Sequence, residues 1–242
     1  MKSIVALAIC LLSAGAGLCQ ETFVFTQIIS TPDQIVGAEI LKVAFRRMDT
    51  PVTFRFYPGA RALEMSSSGK ADGEVHRVWE IGDKYPTLRR VPTPINFIET
   101  VGFVKSDSNI DIEKCEDLQP HRVAIVRGIK HTEMCSEGVE ELSVLNDGES
   151  MMKFLEKGRT DIALDAGLNG LMQLKKSGLD STIKRLPKAL GKSLLYAYVH
   201  KKHIALIPKL DNEFKKMVES GEMPAIRERV IQEILANPDT YK

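Results

Sequence analysis

The chain has 242 residues, with 33 Lys and Arg against 32 Asp and Glu, 43% apolar residues, 6% aromatics, four Cys and one Trp. It is too long for a disulfide-stapled miniprotein and too apolar and charge-balanced for a disordered chain; one large domain or two lobes fit the length. The charges are interleaved, as in ELSVLNDGESMMKFLEKGRTD, which argues against a nucleic-acid partner, since phosphate contacts need an excess of Lys and Arg on one face.

Met1-Lys2-Ser3, the apolar run Ile4 to Leu12 and the small residues Ser13 to Gly17 have the pattern of a secretory signal peptide, taken here as 1–19. The run is shorter than the ~20 apolar residues of a membrane span. Cys19 follows Leu18, where lipid attachment favours a small residue, so a lipoprotein is not expected. Cleavage at this point removes one basic residue, Lys2, and no acidic one, leaving 32 of each. Cys10 and Cys19 leave with the signal, while Cys115 and Cys135 stay. In an oxidising compartment those two thiols are expected to pair, for a stabilisation of roughly 3 kcal/mol on the chain-entropy model. A metal or redox site would call for CxxC spacing and ordered ligands; only His121 and His131 lie between the cysteines.

In chain order, Glu21 to Ile29 reads as a strand. Ser30-Thr31-Pro32-Asp33 offers a hydroxyl N-cap followed by Pro at the first helical position. The helix that follows carries Ile40, Leu41, Ala44, Phe45 and Met48 on one stripe. Val52 to Tyr57 is a second strand. Pro58-Gly59 opens a short helix with Ala62, Leu63 and Met65, closed by Gly69. Strand, helix, strand, helix with short joints predicts a parallel, doubly wound sheet. Strands are also expected at Leu88 to Val91 and Thr100 to Lys105. A second α/β unit follows: strands at 122–127, 142–145 and 161–165, and helices at 148–157 (Met151, Phe154 and Leu155 inward) and 168–176. A strong strand at Leu194 to Val199 precedes two C-terminal helices. The first should bury Phe214, Met217 and Val218, the second Ile226, Val230, Ile231 and Ile234. Ser68-Gly69-Lys70-Ala71-Asp72-Gly73 loosely parallels Lys157-Gly158-Arg159-Thr160-Asp161-Ile162, in each case a Gly-ended helix followed by an Asp at the next strand.

An ordered set of motifs covers essentially the whole chain after the signal. It comprises Ala60-Arg61-Ala62-Leu63-Glu64-Met65 with Ser68-Gly69-Lys70-Ala71-Asp72-Gly73, Asp117-Leu118 with Arg122 to Gly128, and Gly158-Arg159-x-Asp161-Ile162-Ala163-x-Asp165. Tyr196-x-x-x-His200-Lys201 and Ile207-Pro208-Lys209-Leu210 complete it. In these the sequence resembles the bacterial extracellular solute-binding proteins of family 3, the periplasmic receptors whose best-known members serve amino-acid uptake. The resemblance implies an α/β, two-lobed periplasmic-binding-protein-like fold of type II, each lobe a sheet flanked by helices, with two hinge crossings near 102–105 and 196–199. Residues 20–103 and 198–242 would form one lobe and 104–197 an inserted second lobe. It further implies a soluble periplasmic monomer without cofactor or chemistry of its own. Such a protein closes on a small polar solute, amino-acid-like or organic-acid-like, and presents the closed form to an ABC-type transporter permease. An orphan receptor reporting to a membrane sensor would use the same cleft, and a periplasmic hydrolase is the competing class.

This sequence departs from the family pattern after the first-lobe Asp, Asp72, which is followed by Gly73-Glu74-Val75-His76-Arg77-Val78-Trp79-Glu80 and not by a hydroxyl residue. The spacing to the Arg that holds a ligand carboxylate is broken there, and Arg77 is the nearest anion clamp, with an ion pair to Glu74 or Glu80 as the structural reading. Trp79 either stacks on a ligand or packs at the lobe edge. Asp165 matches the second-lobe Asp that meets a ligand amino group, and otherwise serves a buried backbone N–H. The second-lobe hydroxyl turn is replaced by Gly128-Ile129-Lys130, which leaves Arg127, Lys130 and His131 as cleft candidates. Gln27 and Ser30, at the end of the first strand, offer side-chain hydrogen bonds. No GxSxG, P-loop, GxGxxG, HExxH or CxxC signature occurs.

Overall fold

The computed structural model describes residues 22–29 and 31–240; the expected signal segment 1–19 and Ser30 lie outside them. The strands are β1 (Phe23–Ile28), β2 (Val52–Tyr57), β3 (Gly73–Arg77), β4 (Leu88–Arg90), β5 (Asn96–Lys105), β6 (Val123–Val126), β7 (Leu142–Leu145), β8 (Ile162–Ala166) and β9 (Ile183–His200). The helices are α1 (Pro32–Arg47), α2 (Gly59–Ser67), α3 (Ile81–Lys84), α4 (Lys130–Cys135), α5 (Gly148–Glu156), α6 (Gly167–Ser177), α7 (Ile207–Glu219) and α8 (Glu222–Ala236). The strands form one nine-stranded order, β2-β1-β3-β9-β5-β8-β6-β7, with β4 also paired to β9.

The wholly parallel sheet expected from the β-α-β-α rhythm is found only within each half, where β1 pairs in parallel with β2 and β3, and β6 with β7 and β8. The centre is antiparallel, because β9 runs back through both halves. Its residues 183–195 pair with β5, and Tyr196 to His200 pair with β3 and β4. The change of partner falls between Leu195 and Tyr196, where Ile95 N–H donates to Leu195 C=O (2.9 Å) and Val91 N–H to Ala197 C=O (2.9 Å).

The first half is built on one apolar cluster. Phe25 of β1, Val75 of β3 and the α1 stripe Val36, Ile40, Leu41, Ala44 and Phe45 meet Phe214 and Met217 of α7 and Val230 and Ile234 of α8. Full burial of each large side chain contributes about 1.5–3 kcal/mol. Val218, expected inward, is half exposed; the inward stripe of α7 runs Leu210, Phe214, Met217, and one further residue turns the side chain about 100° off it. In the second half, Met151, Met152, Leu155, Val101, Phe103 and Ala163 fill one face of the sheet, and Val104, Leu118, Ile125, Ile162 and Leu164 the other. The Cys115–Cys135 disulfide borders this second cluster and ties the end of α4 to the 3-10 turn Cys115–Leu118.

Helix α6 belongs to the second half, yet its Leu168 and Met172 join the cluster of the first. The close approach rests on Gly170, where an added Cβ would lie 2.2 Å from Phe103 of β5. Only bare backbone lets α6 sit this low on the sheet.

Candidate functional site

The C-terminal ends of the parallel strands β1, β2 and β3 form one rim, and those of β6 and β8 a second. Helix α1 starts from the first rim and α6 from the second, and the two helices meet across the junction. Pro32 stands at the first position of α1, as expected, but the hydroxyl of the capping residue Thr31 donates to Ile29 C=O (3.2 Å) and does not cap the helix. The α1 start is held instead by a buried polar knot. Asp33 C=O accepts from His76 Nε2 (2.9 Å) and Asn96 Nδ2 (3.0 Å), and Gln34 Nε2 donates to His76 C=O (2.9 Å). Gln34 Oε1 accepts from Ile28 N–H (3.2 Å), and Asn96 Oδ1 from Arg227 Nε (3.1 Å) of α8. With Nε2 donating, His76 Nδ1 accepts from Gln34 Nε2 at 3.2 Å. Burial pushes His76 down to about 4, so the ring is neutral. Gly37 is what admits the ring, since a Cβ there would lie 2.3 Å from it.

Two carboxyls, one from each side, are buried in this junction. Asp165, at the end of β8, is 1% exposed; it accepts from Ala166 N–H (2.7 Å) and Asn169 Nδ2 (2.7 Å). Burial drives it up to about 7 against those hydrogen bonds, and the charge of Asp33 adds to the rise. Asp33, 3% exposed, is raised by burial to about 6, although Arg227 and Asn96 pull it down; Glu99 opposes them. Between charges removed from water, like-sign repulsion is strong. Nearby, Thr100 Oγ1 and His131 Nδ1 lie 2.8 Å apart, which fixes the first turn of α4 against β5.

Beside the knot, under the first turns of α1, is a cavity of about 330 Å³, lined by Gln27, Ile28, Ile29, Pro32, Ile35 and Phe56 from the first half, Met172 of α6 and Thr240. Gln27 follows Phe25 on the same face of β1, so its side chain points under α1. It is 6% exposed, and its amide has no hydrogen-bond partner among the described residues.

Of the residues singled out from sequence, Gln27 lines this cavity and Asp165 lies at the junction. Ser30 lies outside the described residues. The Arg77 guanidinium is held by Glu74, with Nε to Oε2 at 2.6 Å and Nη2 to Oε1 at 3.1 Å, and it donates to Gly59 C=O at 2.7 Å. Trp79 is half exposed, under the Arg90 guanidinium and edge-on to Tyr196. It borders a separate recess with Lys192 and Leu194. Arg127 is exposed at the end of β6, and exposed Lys130 pairs with Glu133 at 2.6 Å. Sequence reasoning missed Asp33, Asn96, Thr100 and Arg227 as members of the junction and gave His76 no role. The one local signal was Asp33 directly after a helix-starting Pro.

No family model matches the chain. An uncharacterised protein of Shewanella oneidensis is 29% identical over 175 residues, 70% of this chain and 66% of that protein, so the match spans just under two thirds of the relative's length. Among solved structures, an ancestral cationic amino acid solute-binding protein superposes with a TM-score of 0.70 at 14% identity, over 87% of this chain and 95% of that one. A histidine kinase sensor domain with similarity to periplasmic binding proteins gives 0.66 at 19%, over 87% and 96%. An amino acid ABC transporter substrate-binding protein from Streptococcus pneumoniae, bound to L-arginine, gives 0.64 at 14%, over 87% and 94%. At these identities the likeness is one of fold. The chain has the α/β, two-lobed periplasmic-binding-protein-like architecture, a curled sheet flanked by helices. Among the described residues no helix is long and apolar enough to cross a membrane.

Proposed function

We propose that the protein is a periplasmic solute receptor: it captures a small polar solute between two lobes, closes by hinge motion, and offers the closed form to an ABC-type transporter. The observation that carries this reading is the cavity under α1, lined by the first half and by Met172 of α6, with the Gln27 side chain turned into it. Cavities at strand C-terminal ends between two α/β units are where solutes bind, and hinge closure is what buries them. We take the lobes to divide where β9 changes partner, between Leu195 and Tyr196, and where the chain enters β5. Gln27 is the solute-facing residue in this reading, and Asp165, engaged by Ala166 N–H and Asn169, stands in the junction behind it. Arg77, engaged by Glu74 and Gly59, is structural.

Native mass spectrometry of the protein purified without denaturation tests the proposal. A low-mass species should be released on unfolding, and adding it back should raise the melting temperature. No released species, and no thermal shift with amino acids, organic acids or short peptides, would overturn it; turnover of chromogenic esters, phosphates or glycosides would favour a hydrolase. The similarity to a kinase sensor domain supports a second reading in which the same closure is presented to a membrane sensor. Solute binding is common to both, and the membrane partner that copurifies with the loaded protein separates them.

A further inference from the structure

Around the point where β9 changes partner, three large apolar side chains stand at the surface together: Val78 and Trp79 after β3, and Leu194 of β9, 36%, 49% and 43% exposed. Leu194 lies opposite Phe97 in the β5–β9 ladder and forms the ridge between two shallow recesses. One, of about 240 Å³, lies between Trp79 and Lys192; the other, of about 160 Å³, runs from Phe97 to Pro224 of α8. Sites that enclose a small molecule run from about 300 Å³ upwards, so each recess suits one side chain of a larger partner better than a free solute. None of these residues lines the cavity under α1.

Charge decides the kind of partner. Arg90 stacks on Trp79, while Lys192 (3.7 Å) and Arg227 (4.0 Å) both sit over the ring of Phe97. Aromatic faces hold these cations in place. Among the described residues none of the three pairs with a carboxylate; Arg90 donates to Trp79 C=O (3.3 Å) and Arg227 to Asn96 Oδ1 (3.1 Å), and the charge of buried Asp33 also reaches Arg227. Glu99, opposite Lys192 in the ladder, is taken by Arg185 at 3.0 Å. Among the described residues Glu80 is the one acidic side chain on the recess walls, so positive charge prevails. Cations gathered without an anion repel one another, and an incoming carboxylate relieves that repulsion. Trp and Arg around an apolar centre are also the residues on which protein interfaces concentrate their binding energy.

Independently of the solute reading, we infer that this surface docks a protein partner through an acidic segment that carries apolar side chains. The apolar groups cover Leu194 between Trp79 and Phe97, and the flanking carboxylates meet Arg90, Lys192 and Arg227.

Trp79 is the only Trp in the chain, so its fluorescence reports on this surface alone. The probes are the acetylated, amidated peptides EELFEE, KKLFKK and EEGSEE, together with phenylacetate and phosphatidylglycerol vesicles, each titrated into the purified protein at low and at high ionic strength. EELFEE should shift the Trp79 emission saturably to shorter wavelength and bind about tenfold or more tighter than either other peptide. Its affinity should fall as salt rises. Lys192→Glu and Leu194→Ser, both at exposed positions, should each weaken EELFEE by about tenfold, with thermal melting showing that both variants fold. Equal binding of KKLFKK or EEGSEE, an affinity indifferent to salt or to both substitutions, or no saturable shift with EELFEE would overturn the inference. So would phenylacetate binding as tightly as EELFEE, the mark of a small-molecule site, or vesicles shifting Trp79 where the peptide does not, the mark of a membrane surface. None of these outcomes touches the receptor reading, which stands or falls on solute release and lobe closure.

Discussion

Asp165→Asn is expected to raise the melting temperature at pH 8, by up to ~10 °C, and to change it little at pH 4.5. The folded protein holds the Asp165 carboxyl at about 7, well above the 3.8 of an unperturbed carboxyl, chiefly by burial. Between these values the folded state binds a proton that the unfolded state has lost. Stability is therefore fully present below pH ~4, falls as pH rises, and levels off above pH ~7. The total is on the order of 4 kcal/mol, and for a chain of this size each kcal/mol moves the melting temperature by roughly 2–4 °C. Asparagine does not titrate, and it can still accept from Ala166 N–H while its amide turns to the Asn169 side chain. Asp33, raised to about 6, acts in the same direction over pH ~4 to 6, so wild type should lose stability on going from pH 5 to pH 8. Thermal melts of wild type and variant across that range measure both. A difference that does not vary with pH would mean that Asp165 stays ionised in the folded protein.

Arg77→Ala is expected to cost about 3–5 kcal/mol in urea unfolding. Glu74, 2% exposed, would keep, among the described residues, only the Thr26 hydroxyl, at 3.3 Å, to offset a buried charge. Glu74→Gln with Arg77→Met should recover most of the loss, because removing both charges avoids leaving either unpaired. The same pair of variants separates the two roles that sequence allowed for Arg77. A ligand clamp would lose solute binding with stability nearly unchanged; a structural partner of Glu74 loses stability first.

Much of the framework was legible in local pattern. The α1, α5 and α8 stripes bury the residues their periodicity marks, such as Ile40 and Phe45, Met151 and Leu155, Ile226 and Ile234. Asp147 accepts from Ser150 N–H (2.8 Å) at the start of α5, a cap readable as Asp before a helical run. What escaped was set by distant partners. Most of β9 before Leu194 carries Lys, Pro and Gly and reads as a loop, yet it is a strand because β5 lies alongside it over residues 183–195. Helix α4 is six residues long, too short for a stripe, and is held by the disulfide and by Thr100. The junction was least legible. Asp33, His76, Asn96 and Asp165 are brought together from residues 43 and 63 apart and from opposite halves of the sheet, and no local spacing announces such a contact. Gln27 could be singled out because it ends a strand that feeds directly into a helix.

Closure of two lobes on a solute is the central claim, and small-angle X-ray scattering of the protein with and without the solute released on unfolding tests it most directly. The bound form should have a smaller radius of gyration and a shorter maximum dimension than the free form. Superimposable scattering curves at saturating solute would contradict it.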